Sequence, residues 1–362
     1  MTLLDRLFRF SVALLLALCS WFAAAQAANI DVPRDKGLPV VVNAGVAFIE
    51  LFGFDENAGT FRATVDLRLS WFDGRLAKSG PIVGVPPDTY RDAAAEARMQ
   101  EIWVPPAVLS NQQGEAAFSS YGLRAYPDGN VELLHRVTAD FAVDVDVARF
   151  PFDRQQLFAD VAVRGVPISQ VTLQFDQSDI DFSRPSVAAN LPGWSIGLVD
   201  LRSSPISSWY NTSEARVTAS LTVARQPGLV VASIFIPLLA SLLIPLLAIW
   251  LNRMEDGMFQ VDAFELVNII IGGLFAVIAL NFTVYSTYVV LADGDNTVNR
   301  LFALNYLALA TALFVNIFFG RFNVLARAFS PYVQEQAYLV IMWAVPVLVA
   351  ITAAAFMLTA AV

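Results

Sequence analysis

The sequence predicts an all-β, immunoglobulin-like extracellular sandwich followed by an all-α bundle of four transmembrane helices. Three observations predict it. The chain of 362 residues is 56% hydrophobic and only 15% charged, where about 25% charged residues is usual for a soluble protein. Up to about Arg225 the apolar residues alternate with polar ones in short runs, the period of half-buried strands. Beyond Gln226 they gather into four nearly uncharged runs, each long enough to cross a bilayer as a helix.

Residues 1–27 read as a secretory leader. Arg6 and Arg9 give the positive start, "FSVALLLALCSWFAAA" the apolar middle, and Ala25-Gln26-Ala27 the small-x-small cleavage pattern. A further transmembrane helix is the alternative, for which the apolar stretch is short. The one cysteine, Cys19, lies in this leader. The mature chain is therefore expected to have no disulfide, no thiolate nucleophile and no cysteine-held metal. Loss of Asp5, Arg6 and Arg9 with the leader removes one net positive charge, from −9 to −10. Such a surface repels nucleic acid and attracts cations.

Residues 28–226 form the outer domain. "VNAGVAFIELFGF", "TFRATVDLRLSWF", "NVELLHRVTADFAVDV" and "EARVTASLTVAR" alternate as strands, Asp128-Gly129 marks a hairpin, and "AAAEARMQEIW" is a short helix. Residues 227–362 form the membrane domain, with helices at about 229–251, 263–288, 301–319 and 337–361. Arg253, Arg321 and Arg327 fall on connections that the exported leader places in the cytoplasm, as the positive-inside rule asks.

Several stretches carry a resemblance. "LRLSWFDGRL" is similar to the second-strand signature of pentameric ligand-gated ion channels, the Cys-loop receptor superfamily. "IWVPPAVLSNQQG" resembles their Trp-x-Pro segment, "RFPFDRQQL" their Cys-loop, "YNTSEARVTASLTVARQPG" their last strand and pre-membrane stretch, and "FIPLLASLLIPLLAIWLN" their proline-bearing first helix. The order is the family's over most of the chain, and the absent cysteines and short third connection resemble its prokaryotic branch. The resemblance implies a homopentamer, with four further identical subunits around a pore lined by the second helix. It also implies permeant cations, a small-molecule agonist or protons as stimulus, no cofactor, no metal and no enzymatic activity. The expected location is a bacterial inner membrane with the outer domain on the periplasmic side.

The residues lend this partial support. Steps of three or four along the second helix put Glu265, Asn268, Gly272, Phe275, Ala279, Phe282 and Ser286 on one stripe. "FELVN" aligns with the family's cytoplasmic mouth. Five copies of Glu265 would make an acidic ring that selects cations, strengthened by Glu255, Asp256 and Asp262. A helix-start carboxylate serving the dipole is the alternative for Glu265. Phe275 and Phe282 are expected at the gate, where rings of phenylalanine dewet a pore; packing against the first or third helix is their alternative.

In this family agonists bind between subunits under a loop before the last strand, here "SSPISSWYNTS". Trp209 and Tyr210 are then the ligand-binding aromatics, unless they pack in the sandwich. Arg68 stands where carboxylate-binding members carry an arginine, and Arg164 replaces an aromatic. Together they favour an anionic or zwitterionic ligand, with pairing to surface acids as the alternative. Protons are the competing stimulus. Calcium at Asp293 to Thr297 lacks the later ligands of a calcium loop. His135 reads as structural.

Around the "VARFPFDRQQL" stretch, Val143 and Leu157 stand where the family has its two bonded cysteines. Asp153 is expected to pair with Arg225 at the base of the outer domain, with Asp55 or Glu56 completing a cluster that couples that domain to the pore. Two readings from other classes compete. A membrane-anchored enzyme needs a nucleophile and base, a metal cluster or a phosphate loop, none of which is found in the sequence. A non-conducting membrane sensor of the same architecture needs no polar pore stripe.

Overall fold

The computed structural model describes residues 31–208 and 212–361. The leader with its Cys19, and the two aromatics Trp209 and Tyr210, lie outside them. Two main sheets and a small ribbon, β10 (Ile206–Ser207) with β11 (Ser213–Glu214), form the first half of the chain. The larger joins β1 (Val40–Asp55), β2 (Thr60–Phe72), β3 (Asp88–Arg91), β5 (Gln112–Ala125), β6 (Asn130–Ala142) and β8 (Val171–Gln174) in the order β3-β5-β6-β2-β1-β8. The smaller joins β4 (Ala107–Leu109), β7 (Arg154–Val163), β9 (Trp194–Ser203) and β12 (Arg216–Arg225) in the order β4-β7-β12-β9. All neighbours are antiparallel except β1 and β8.

The alternation in the sequence is the alternation of burial. Along β2, Phe61, Ala63, Val65, Leu67, Leu69 and Trp71 all face the core, and β2 meets β6 residue for residue from Thr60–Ala142 to Phe72–Asn130. Phe61 stacks on Phe141 and meets Phe48 at a tilt within the sandwich core, and Trp71 meets Trp103 edge to face. Each fully buried side chain of this size contributes roughly 1.5–3 kcal/mol. Val143 and Leu157 are both buried in this core. The turn at Asp128-Gly129 joins β5 to β6, with Gly129 at φ 89°, a left-handed geometry that glycine adopts freely. The short helix lies at Ala93–Met99.

Four helices long and apolar enough to cross a membrane follow: Gly228–Trp250, Ala263–Thr287, Thr297–Arg321 and Pro331–Ala361. The first contains a π-helical stretch, Val231–Phe235, just before Pro237, whose missing N–H cannot join the regular ladder. The third is the most buried, and the second packs against the first and third. A short hairpin, Met254–Glu255 with Met258–Phe259, links the first helix to the second.

Candidate functional site

The outer domain and the helices meet at a buried charge cluster. Arg225 closes β12, and only Gln226 and Pro227 separate it from the first membrane helix. Its backbone N–H donates to the Asp153 carbonyl at 3.1 Å, which brings the two residues side by side at the sandwich base. Its Nε donates to Asp153 Oδ1 at 2.7 Å, and one terminal nitrogen donates to Oδ2 at 3.0 Å. The terminal nitrogens also reach Glu56 at 3.0 and 2.5 Å. The guanidinium is thus bidentate on two sides, the geometry in which charge-assisted bonds are strongest. Its carbon lies 4.9 Å from the Phe150 ring centroid and 4.3 Å from that of Trp194. Burial alone would lower the Arg225 pKa, but hydrogen bonds and charge from Asp153 and Glu56 outweigh it and raise it.

Glu56, not Asp55, is the second acid. Asp55 accepts the backbone N–H groups of Asn57 and Ala58, both at 3.0 Å, so its carboxylate closes the β1–β2 turn and is withdrawn from the cluster. Asn57 uses the same turn to reach the helices: its side chain donates to the Thr287 carbonyl at 3.3 Å and accepts from Val290 N–H at 3.2 Å. This end of the second helix is therefore touched directly by the outer domain.

The cysteine-free loop is fastened in another way. Gln155, 1% exposed, accepts from Asp146 N–H at 3.0 Å and donates to the Asp146 carbonyl at 2.7 Å. It also donates to Asp153 Oδ2 at 2.7 Å. Phe150, fully buried, stacks on Phe235 of the first helix and meets Tyr288 at the end of the second. Gln155, Asn57, Phe150 and Tyr288 went unread in the sequence. The only signal was the "FPFDRQ" spacing, which places Gln155 two residues after Asp153.

On the second helix, Leu266, Ile270, Gly273, Val277 and Val284 are buried. The stripe of Glu265, Asn268, Gly272, Phe275, Ala279, Phe282 and Ser286 is exposed along its whole length. Phe275 is 68% and Phe282 75% exposed in the single subunit, so neither packs against the first or third helix. Asp262 caps this helix by accepting from Phe264 N–H at 3.0 Å, and Glu265 sits in the first turn.

The structure does not bring the expected ligand-binding arginines together within one subunit. Arg68 donates to Asp179 at 2.7 Å and to Ser178 at 2.8 Å, and it lies over the Phe182 ring. Within the subunit Arg68 thus has an acid partner, Asp179, 2.7 Å away. Asp179 was missed, although "DQSD" is the capping box of helix Gln177–Phe182. Arg68 borders a cavity of about 560 Å³ on the open face of the larger sheet. Arg164, exposed, borders a separate one of about 360 Å³ beside Glu214. Glu214 is 6% exposed and accepts from Gly165 N–H at 2.9 Å and from the Ser208 hydroxyl at 2.5 Å. His135 stacks on Tyr121 with centroids 4.2 Å apart and bonds to Ser119, while burial pushes its pKa below the ordinary value.

A β-sandwich with a buried guanidinium at its base, tied through Asn57 and Phe150 to the first two of four bilayer-length helices, defines a protein of an outer domain and a membrane domain. Residues 28–227 match the family described as "Neurotransmitter-gated ion-channel ligand binding domain", and the chain belongs to that family, which is not one of enzymes. It is 28% identical over 247 residues to a proton-gated ion channel of Gloeobacter violaceus, covering 68% of this chain and 64% of that one. It is 23% identical over 247 residues to the glycine receptor subunit beta of Rattus norvegicus, covering 63% and 47%. It is 24% identical over 152 residues to the gamma-aminobutyric acid receptor subunit theta of Mus musculus, covering 41% and 23%. The matched regions thus span less than two thirds of each relative's length.

Proposed function

We propose that this chain is the subunit of a homopentameric, cation-selective ion channel in a bacterial inner membrane, opened from its periplasmic domain by protons or a small-molecule agonist. The observation that carries the reading is the second helix. One face packs on the subunit's own first and third helices, while the polar-ended stripe from Glu265 to Ser286 finds no cover within the subunit. Glutamates, asparagines and serines do not face lipid without cost. A water-filled axis shared by five copies gives them solvent, puts the Glu265 ring at the cytoplasmic mouth and puts Phe275 and Phe282 at the constrictions.

Gating passes through the Glu56–Arg225–Asp153 cluster and the Asn57 and Phe150 contacts, which join the sandwich to the first and second helices. Protons are the favoured stimulus on two grounds: Arg68 is already paired, and the Gloeobacter relative is named for proton gating. Purified protein reconstituted in a planar bilayer, with no organic agonist, tests this. Current that grows as the outer pH falls, with a reversal potential following the cation gradient, is expected. Current that appears only with an organic ligand replaces protons by that ligand, and protein that assembles as a pentamer yet conducts under neither condition overturns the reading.

A further inference from the structure

We propose that Gln334 and Tyr338, in the first turns of the fourth helix, are positioning residues for the acidic mouth: they hold the Met254–Phe259 hairpin and through it fix where the second helix starts. The electrical part of this proposal rests on the channel reading; the structural part does not.

Gln334 is fully buried. Its Nε2 donates to the Gly257 carbonyl at 2.8 Å and lies 3.1 Å from the Phe319 carbonyl and 3.2 Å from Asn323 Oδ1. Its Oε1 accepts from Ala326 N–H at 2.8 Å. One side chain therefore ties the hairpin tip, the end of the third helix, the connection after it and the fourth helix. A buried amide with each polar atom engaged strands several partners when it is removed.

The hairpin is shaped to be held. Asp256 and Gly257 have φ of 51° and 72°, the left-handed pair of a two-residue hairpin turn. A Cβ on Gly257 would lie 2.8 Å from Pro331 Cα, so the tip rests directly on the start of the fourth helix. One turn on, the Tyr338 hydroxyl donates to the Ile249 carbonyl of the first helix at 2.5 Å. Its ring meets Phe259 at 4.9 Å and Phe319 at 5.8 Å between centroids. Gly320 leaves room for Phe259, since a Cβ there would sit 2.5 Å from its ring.

From the hairpin the connection to the mouth is short. Asn252 accepts from Val261 N–H at 3.2 Å, which closes the hairpin's base. Asp262 then caps the second helix, Asn316 donates to the Ala263 carbonyl at 3.2 Å, and Glu265 follows. Beyond Tyr338, only Val349, Ala353 and Ala360 of the fourth helix are buried. The least buried of the four helices thus has its polar grip at the end next to the start of the second helix.

The test uses the full chain in bilayer nanodiscs. Gln334→Met keeps the side chain's bulk and removes its hydrogen bonds; Tyr338→Phe removes one hydroxyl. Backbone hydrogen exchange over 254–262 is expected to rise about tenfold in the first, which is about 1.4 kcal/mol, and less in the second, with 31–208 unchanged. In bilayers, single-channel conductance should change while the midpoint of the pH response stays in place, a split that general destabilisation would not give. Unchanged exchange over 254–262 in both variants overturns the proposal, as does a shifted midpoint with unchanged conductance. If the wild-type protein passes no current, the channel reading fails and exchange alone decides the latch.

Discussion

Arg225 and Asp153 are joined by two side-chain hydrogen bonds, at 2.7 and 3.0 Å, with Asp153 2% exposed and Arg225 9% exposed. The pair sits where the last strand becomes the first membrane helix, so the sandwich cannot shift there without moving a buried charge. Breaking such a pair on one side leaves an uncompensated ion, at a cost of roughly 3–5 kcal/mol. Asp153→Asn is expected to lower the unfolding transition of the outer domain and to displace the activation curve. Glu56→Gln, facing the better solvated side, should do the same to a smaller degree. Thermal unfolding of the detergent-solubilised protein, beside current recordings, checks both.

Arg68 should behave as a structural cation. Because it pairs with Asp179 beneath the Gln177–Phe182 helix, Arg68→Gln and Asp179→Asn are each expected to destabilise the sandwich by a few kcal/mol. The double variant should cost less than the sum of the two. A double-mutant cycle on urea unfolding reads this coupling. Additive losses would return Arg68 to the role of ligand anchor.

The adjacent glycines of the second helix should differ sharply. A Cβ on Gly273 would lie 2.7 Å from Ile244 Cγ2 of the first helix, whereas Gly272 has nothing within 4 Å. Gly273→Ala is expected to cost about 1–3 kcal/mol by forcing the two helices apart, seen as a lower melting temperature of the solubilised protein. Gly272→Ala should assemble normally and reduce conductance.

His135 gives a pH window. Burial holds its folded pKa below the ordinary 6.5, so the folded sandwich binds fewer protons here than the unfolded chain does. Its stability contribution is present above the unfolded value and is lost as pH falls through the folded one. Among the side chains nearest it, Tyr121 and Ser119 carry no opposing charge. His135→Gln should flatten the fall in melting temperature between pH 6.5 and more acid values, measured by scanning calorimetry.

Much of this architecture could be read from the chain. Strand β2 was read at Thr60–Phe72 because six of its apolar residues keep strict alternation, and the second-helix stripe because helical period repeats over 25 residues. Strands β5 and β9 were not read. In "QQGEAAFSSYGLRA" the register shifts between Gln113 and Phe118, and in "WSIGLVDLRS" Leu198 is 80% exposed, so neither shows a clean period. Hydropathy locates the lipid-facing part of a helix and leaves its polar ends unmarked; the third begins at Thr297, set by Asn296, which accepts from Asn299 N–H. At the site, the Arg225–Asp153 pairing was legible once the loop was placed on the pattern of the family that the chain resembles. The choice of Glu56 over Asp55 was not, since adjacent side chains in a turn point apart and only coordinates tell which points inward. Asp179 lies 111 residues from Arg68, a separation over which no local pattern speaks.

In the proposed channel, five copies of the second helix enclose a cation pathway with Glu265 at its mouth. The most direct measurement is the reversal potential of the reconstituted protein under a salt gradient, for wild type and Glu265→Gln. A wild-type potential close to the cation equilibrium value, moved toward zero by Glu265→Gln, is the predicted result. A wild-type potential at the anion value, or one that Glu265→Gln leaves in place, would contradict it.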